Sequence, residues 1–191
     1  MRFSSTYSAA VLLVALSACN TESNKDPVAE AKFQNEKRIG DANVTEKQER
    51  DALFLVTAAS RSMLDTEISQ LAQRKAASPD VKYLAQMIVG QHGTMQAALN
   101  QLANQKSIVL PKGLGADQAR TVGELTALTG AAFDRRYVEL LEDVHKASID
   151  DFDDMSEDAY DGDIRAFAAT YLPTLKTHRD AADKLADQLP K

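Results

Sequence analysis

The sequence predicts an all-α protein: a four-helix bundle with one long crossover connection, preceded by a signal peptide and a polar tether. Three observations lead to this. The chain has 191 residues, 44% hydrophobic and 26% charged, with no tryptophan and only 8 glycines and 5 prolines, which suits one helical domain with an appendage. From about residue 49 onward, apolar residues recur at steps of three and four in four long stretches, the period of a helix with one buried face. The breaks between those stretches are Ser-Pro, a Gly/Pro-containing loop and Asp-Gly-Asp, all of them helix boundaries.

The first 18 residues, MRFSSTYSAAVLLVALSA, carry one positive charge at Arg2, an apolar core from Ala9 to Leu16 and small residues before Cys19. This is the layout of an export signal and is too short to span a bilayer. Leu16-Ser17-Ala18-Cys19 resembles the lipobox of bacterial lipoproteins. The resemblance implies cleavage before Cys19 and acyl chains on its thiol and new amino group. Cys19 is the only cysteine, so no internal disulfide forms and the fold depends on its core. One acyl chain binds a membrane marginally, whereas several anchor it. Asn20, rather than aspartate, follows the cysteine, which points to the periplasmic face of the outer membrane. Residues 19–47 then read as the lipidated cysteine and a flexible polar tether, with some helix around Val28 to Arg38.

The first long helix is expected over about 49–77 and ends at Ser78-Pro79, where Ser78 or Asp80 can cap the second, over about 79–105. SIVLPKGLGAD must be a loop, and Asp117 or Thr121 can start a short helix that ends near Gly130. The third long helix covers about 131–158. Asp161-Gly162-Asp163 opens the fourth, which runs to about Gln188 with a kink expected at Pro173. Four long helices and one longer connection make a four-helix bundle.

The seams place the histidines. The second helix buries Val81, Ala85, Ile88, His92, Met95, Leu99 and Leu102; the third Val138, Leu141, His145, Ser148, Phe152 and Met155; the fourth Ile164, Ala168, Tyr171, Leu175, His178, Ala182 and Leu185. The first helix offers Val56, Ala59, Met63, Glu67 and Leu71. All three histidines of the chain therefore point inward. If the connection runs the length of the bundle, Glu67 lies about 11 residues from one end, His92 and His145 about 14 and His178 about 10, which puts all four within roughly 6 Å along the axis. A simple up-and-down path widens the spread to roughly 10 Å. Gly90 and Gly93, which frame His92, read as small residues that let a neighbour come close.

Three imidazoles and a carboxylate form the ligand set of one transition metal ion, with zinc, iron, copper and manganese all compatible. Glu67, His92, His145 and His178 are the expected ligands, with Met63, Gln91, Tyr137 and Tyr171 around them. The other reading is a buried network in which the histidines bond one another or Glu67, Thr66, Ser148, Tyr137 and Tyr171.

Composition and motifs exclude much else. A charge of −6 and a pI near 5.1 with no dense Lys/Arg cluster argue against nucleic acid. HExxH, GxSxG and a phosphate-binding glycine loop are all absent, so no catalytic residue is assigned. The acidic run from Asp150 to Asp163 lacks EF-hand spacing and reads as a solvated, helix-capping turn that anionic lipid would repel.

The pieces AASRSMLDTEISQLAQRKA, VKYLAQMIVGQHGTM, LPKGL, LTGAAFDRRYVELLEDVHKASIDDF and IRAFAATYLPTLKTHRDAADKL cover about Asp51 to Leu185. They resemble the domain of unknown function 4142 family, exported bacterial proteins of ferritin-like fold that are often labelled outer membrane proteins. The pattern includes the histidine of the second helix, Phe133, Asp134 and Tyr137, the histidine of the third helix, and Leu172, Pro173 and His178. The family usually has aspartate before the first of these histidines, where this chain has Gln91. The resemblance implies the crossover topology of ferritin-like bundles but supplies no activity. A di-iron centre of ferritin type needs Glu-x-x-His on two helices, and Val89 and Leu175 stand three before His92 and His178. The expectation is a lipid-anchored envelope protein, a non-catalytic binding, structural or stress module without an assigned protein partner. The alternative is a metal-binding or metal-dependent redox protein using the cluster of three histidines and one glutamate.

Overall fold

A computed structural model describes residues 26–40 and 46–190; the expected signal peptide (1–18) and Cys19 lie outside them. Among the described residues the protein is all helical, without strands: α1 (Pro27–Gly40), α2 (Glu46–Lys75), α3 (Pro79–Gln105), α4 (Ala116–Ala127), α5 (Gly130–Asp158) and α6 (Gly162–Gln188).

The four long helices pack around a common core, α2 against α3 and α5, and α6 against α3 and α5. Cross-links give their directions. Arg50 pairs with Asp154 and Arg61 with Asp151, while the backbone N–H of Ala77 donates to Asp134, so α2 and α5 are antiparallel. Because α3 also turns back from the end of α2, α3 and α5 start at the same end, and the 106–129 connection travels the length of the body to get there. In its middle α4 lies along α2, with Gln118 bonded to Ser60 and Lys75 to the carbonyl of Thr126. Buried Leu125 inserts α4 into the core.

Local chemistry sets the boundaries. Ser78 caps α3, with Pro79 in the first turn where its missing N–H costs nothing. Asp161 caps α6 by accepting from the N–H groups of Asp163 and Ile164. Helix α3 ends in a Schellman motif: Ile108 N–H donates to the Ala103 carbonyl and Ser107 N–H to that of Asn104, and Ser107 takes φ 57°. The chain stays helical through Pro173, which lies at an exposed position of α6.

Two buried aspartates tie the hairpins together. Asp134 of α5 accepts from Ala77 and Ser78 N–H at 3.0 and 2.7 Å, gripping the α2–α3 turn. At the other end Asp51 of α2 accepts from Tyr160 and Asp161 N–H at 3.1 and 2.7 Å, gripping the α5–α6 turn.

Part of the expected tether is docked structure. Helix α1, close to the span expected to be helical, buries only Ala31 and Asn35, so polar bonds hold it. Asn35 bonds both the N–H and the carbonyl of Val109, at 2.8 and 2.9 Å, and Arg38 donates to the Ser107 carbonyl. The Asp26 carboxylate accepts from Val28 and Ala29 at the start of α1 and from Ala116 at the start of α4. Those backbone donors, Ala29 first, hold its pKa below the usual range.

The core has two apolar halves. One gathers Phe54, Leu99, Phe152, Phe167 and Leu175; the other Ile68, Ile88, Phe133, Leu141 and Ala182. The histidines lie between them: His92 follows Ile88 and precedes Met95, and His145 lies between Leu141 and Ile149.

Candidate metal centre

His92, His145 and His178 come from three helices, and all are buried, at no more than 1% exposure. Their ring centroids lie 5.2–5.6 Å apart, and one nitrogen from each falls within 4.8 Å of the others. His145 Nδ1 bonds the Leu141 carbonyl at 3.0 Å, and His145 Nε2 lies 3.1 Å from His178 Nδ1. His178 Nε2 meets Gln91 at 2.7 Å, and His92 Nδ1 meets the Ser62 hydroxyl at 3.2 Å.

The three histidines form the cluster without a fourth ligand at the same spacing, and the carboxylate nearest to them is Asp65 rather than the expected Glu67. Glu67 is exposed, while Asp65 is 1% exposed, with its oxygens 3.8 Å from His92 Nε2 and 3.9 Å from His145 Nδ1. Two residues along a helix rotate a side chain by about 200°, to the opposite face. The expected seam of α2 fails because this helix is covered on several sides by α1, α3, α4 and α5. Its inward face is built partly of Ala58, Ala59, Ser62 and Ser69, small residues that an apolar seam does not reveal. Ser62, Asp65, Ser69 and Ala72 do carry helical spacing, and that polar series was the available signal.

The surrounding residues divide. Gln91 reaches His178. Tyr137 is buried and hydrogen-bonded to Ser69 at 2.9 Å; burial first, and then the charge of Asp65, hold its hydroxyl above its usual pKa. Tyr171 packs on Phe167, centroids 4.9 Å apart, in the neighbouring apolar half. Met63 is half-buried on α2. Gly90 and Gly93 are not close-contact residues: a Cβ at either would meet nothing within 4 Å.

Burial dominates the electrostatics. It lowers the pKa of His145 to about 3 and that of His178 to about 4. It also pushes His92 well below and Asp65 well above their ordinary values. Desolvation disfavours each charged form, so without an added cation burial favours the neutral forms of these groups. Two of its buried atoms, Asp65 Oδ1 and His92 Nε2, have no hydrogen-bond partner, although buried polar atoms are normally paired.

The donor set fits a divalent transition ion. Three imidazole nitrogens, with a buried carboxylate beside them, suit zinc, iron, manganese or copper. A tetrahedral site with bonds of about 2.05 Å has edges of about 3.3 Å; His145 Nε2 and His178 Nδ1 are 3.1 Å apart and the three ligating nitrogens lie within 4.8 Å of one another, so the set would have to draw together around an ion. The Leu141 carbonyl and the Ser62 hydroxyl occupy the other nitrogens of His145 and His92, as the outer partners of ligating histidines do.

Comparison with curated proteins and with solved structures returned no match. The family model for a domain of unknown function, DUF4142, matches residues 37–185, a span that holds all three histidines and Asp65. The chain therefore belongs to the DUF4142 family.

Proposed function

We propose that this protein is a lipid-anchored module of the bacterial cell envelope that binds one transition metal ion in its core. Its helical body is a ferritin-like four-helix bundle with one crossover, and His92, His145, His178 and Asp65 are the ligands. The observation that carries this reading is the meeting of three buried imidazoles, one with an unpaired ring nitrogen, beside a buried aspartate. An ion held by the three imidazoles would occupy the bare His92 Nε2, with Asp65 Oδ2 3.8 Å away from that nitrogen. The export pattern and Cys19 support anchoring at the periplasmic face of the outer membrane. Surface cavities around α1 and the 106–110 connection are lined by other residues.

The test is elemental analysis of the chain from Asn20 onward, purified without a histidine tag, beside the same chain with His92, His145 and His178 replaced by alanine. About one metal ion per chain is expected, lost in the variant. Metal at 100 times its Kd would add about 2.7 kcal/mol of stability and raise the melting temperature by about 5–10 °C. A second reading, a metal-free structural network, is favoured by the continuous contacts from Leu141 through His145 and His178 to Gln91. Absence of bound zinc, iron, copper and manganese, and no response to their addition, would establish it. For the anchor, Cys19→Ser should move the protein from membranes to the soluble fraction; unchanged membrane recovery would sink that part.

A further inference from the structure

The hydrogen bonds of the histidine cluster have a direction that is fixed at one end. His145 Nδ1 lies 3.0 Å from the Leu141 carbonyl, which can only accept, so in the neutral ring Nδ1 carries the proton and Nε2 is bare. That bare nitrogen faces His178 Nδ1 at 3.1 Å. Two arrangements of His178 are then open. With the proton on Nδ1 it donates to His145, and its own Nε2 is bare. With the proton on Nε2, two lone pairs face each other in the core, an arrangement that calls for a cation beside them.

Gln91 stands where these alternatives are decided. It is exposed on α3, yet its Oε1 lies 2.7 Å from His178 Nε2. An oxygen there accepts from Nε2–H, which leaves Nδ1 bare for a metal. After a flip of the amide, the NH2 group would donate to a bare Nε2 and match the metal-free arrangement instead. A primary amide serves both tautomers, whereas a carboxylate or an alkyl side chain does not.

We propose that Gln91 is the positioning residue that selects the tautomer of His178, and so sets how tightly the core binds a divalent metal. The proposal rests on the metal-centre reading above. When metal binds, the proton on His178 moves from Nδ1 to Nε2 through exchange with solvent at the Gln91 side, and the Gln91 oxygen accepts it. The residue acts through His178, as outer partners of ligating histidines commonly do, with effects of about 10–100-fold on affinity.

The experiment uses zinc alone, titrated against a chromophoric chelator at about pH 7.5, with 15N NMR of the histidine rings before and after loading. In the wild type, His178 should carry its proton on Nδ1 without zinc and on Nε2 with it. Gln91→Leu should weaken zinc binding about 10–100-fold while its metal-free melting curve stays near the wild-type one. Gln91→Glu, which can only accept as the anion, should bind zinc at least as tightly as the wild type. The same His178 tautomer with and without zinc, or equal zinc affinity in all three proteins, overturns the assignment and leaves the metal centre standing. A wild-type protein that binds no zinc or other divalent transition ion overturns the metal centre and the role of Gln91 with it.

Discussion

Asp65 Oδ2 lies 3.8 Å from His92 Nε2, too far for a hydrogen bond and near enough to share an ion. Burial raises the pKa of the acid and lowers that of the imidazole, which works against an ion pair between them. Asp65→Asn should therefore cost the metal-free protein little, or stabilise it by about 1 kcal/mol, since a carboxyl with an unsatisfied oxygen is removed. The same change should lower zinc affinity at least tenfold. Glu67→Gln, on the exposed face, should alter neither. Melting curves with and without zinc test all three statements.

Acid should destabilise the metal-free protein well before ordinary carboxylates titrate. His145 and His178 have pKa values of about 3 and about 4 in the fold against about 6.5 unfolded. The unfolded chain therefore takes up protons that the native state refuses, and stability falls as pH drops below about 6.5 toward the folded values. His92 shifts in the same direction, whereas the raised pKa of Asp65 works the other way. The three histidines should outweigh the one acid, so stability falls between about pH 7.5 and 5. Urea midpoints at the two pH values measure it, and equal midpoints would contradict it.

Gly90→Ala and Gly93→Ala should each stabilise the protein by about 0.5–1 kcal/mol, because the helix gains a better former and the new methyl meets no neighbour. A loss of stability in either would contradict the open space around that glycine.

Ser107 holds φ 57° at the end of α3, a conformation glycine adopts freely and other residues only at a cost. Ser107→Gly should raise stability by about 0.5–1 kcal/mol, since only the backbone of this residue takes part in the motif and in the bond from Arg38. Chemical denaturation of the two proteins decides it.

Asn35→Ala should loosen α1 without unfolding the rest. The side chain supplies both bonds to Val109, and only Ala31 of this helix joins it in burial. Backbone amide exchange in α1 should rise about tenfold or more, as expected for a locally opening unit, while the melting midpoint moves little. Unchanged exchange would mean that Asp26 and Arg38 suffice.

Much of this architecture is legible in the residues. α3, α5 and α6 each keep one buried face, so step-counting places His92, His145 and His178 correctly, and the long connection brings them to one depth. α2 hides its register because several helices cover it, and Asp65, flanked by Leu64 and Thr66, is no more conspicuous in the sequence than Glu67. The docking of α1 leaves even less trace. Its main ties run from Asn35, Arg38 and Asp26 to backbone groups of Val109, Ser107 and Ala116, and a bond to backbone imposes no pattern on the partner's side chains.

The reciprocal grip of Asp51 and Asp134 bears on how the protein comes apart. Each turn has two N–H groups whose acceptor belongs to the opposite hairpin, so neither hairpin is a finished piece by itself. A nascent α2–α3 hairpin waits for α5 before its turn is satisfied, and α5–α6 already needs α2. Half-molecules cut in the 106–129 connection should accordingly persist only as a reassociated pair, and loss of either half should dismantle the other.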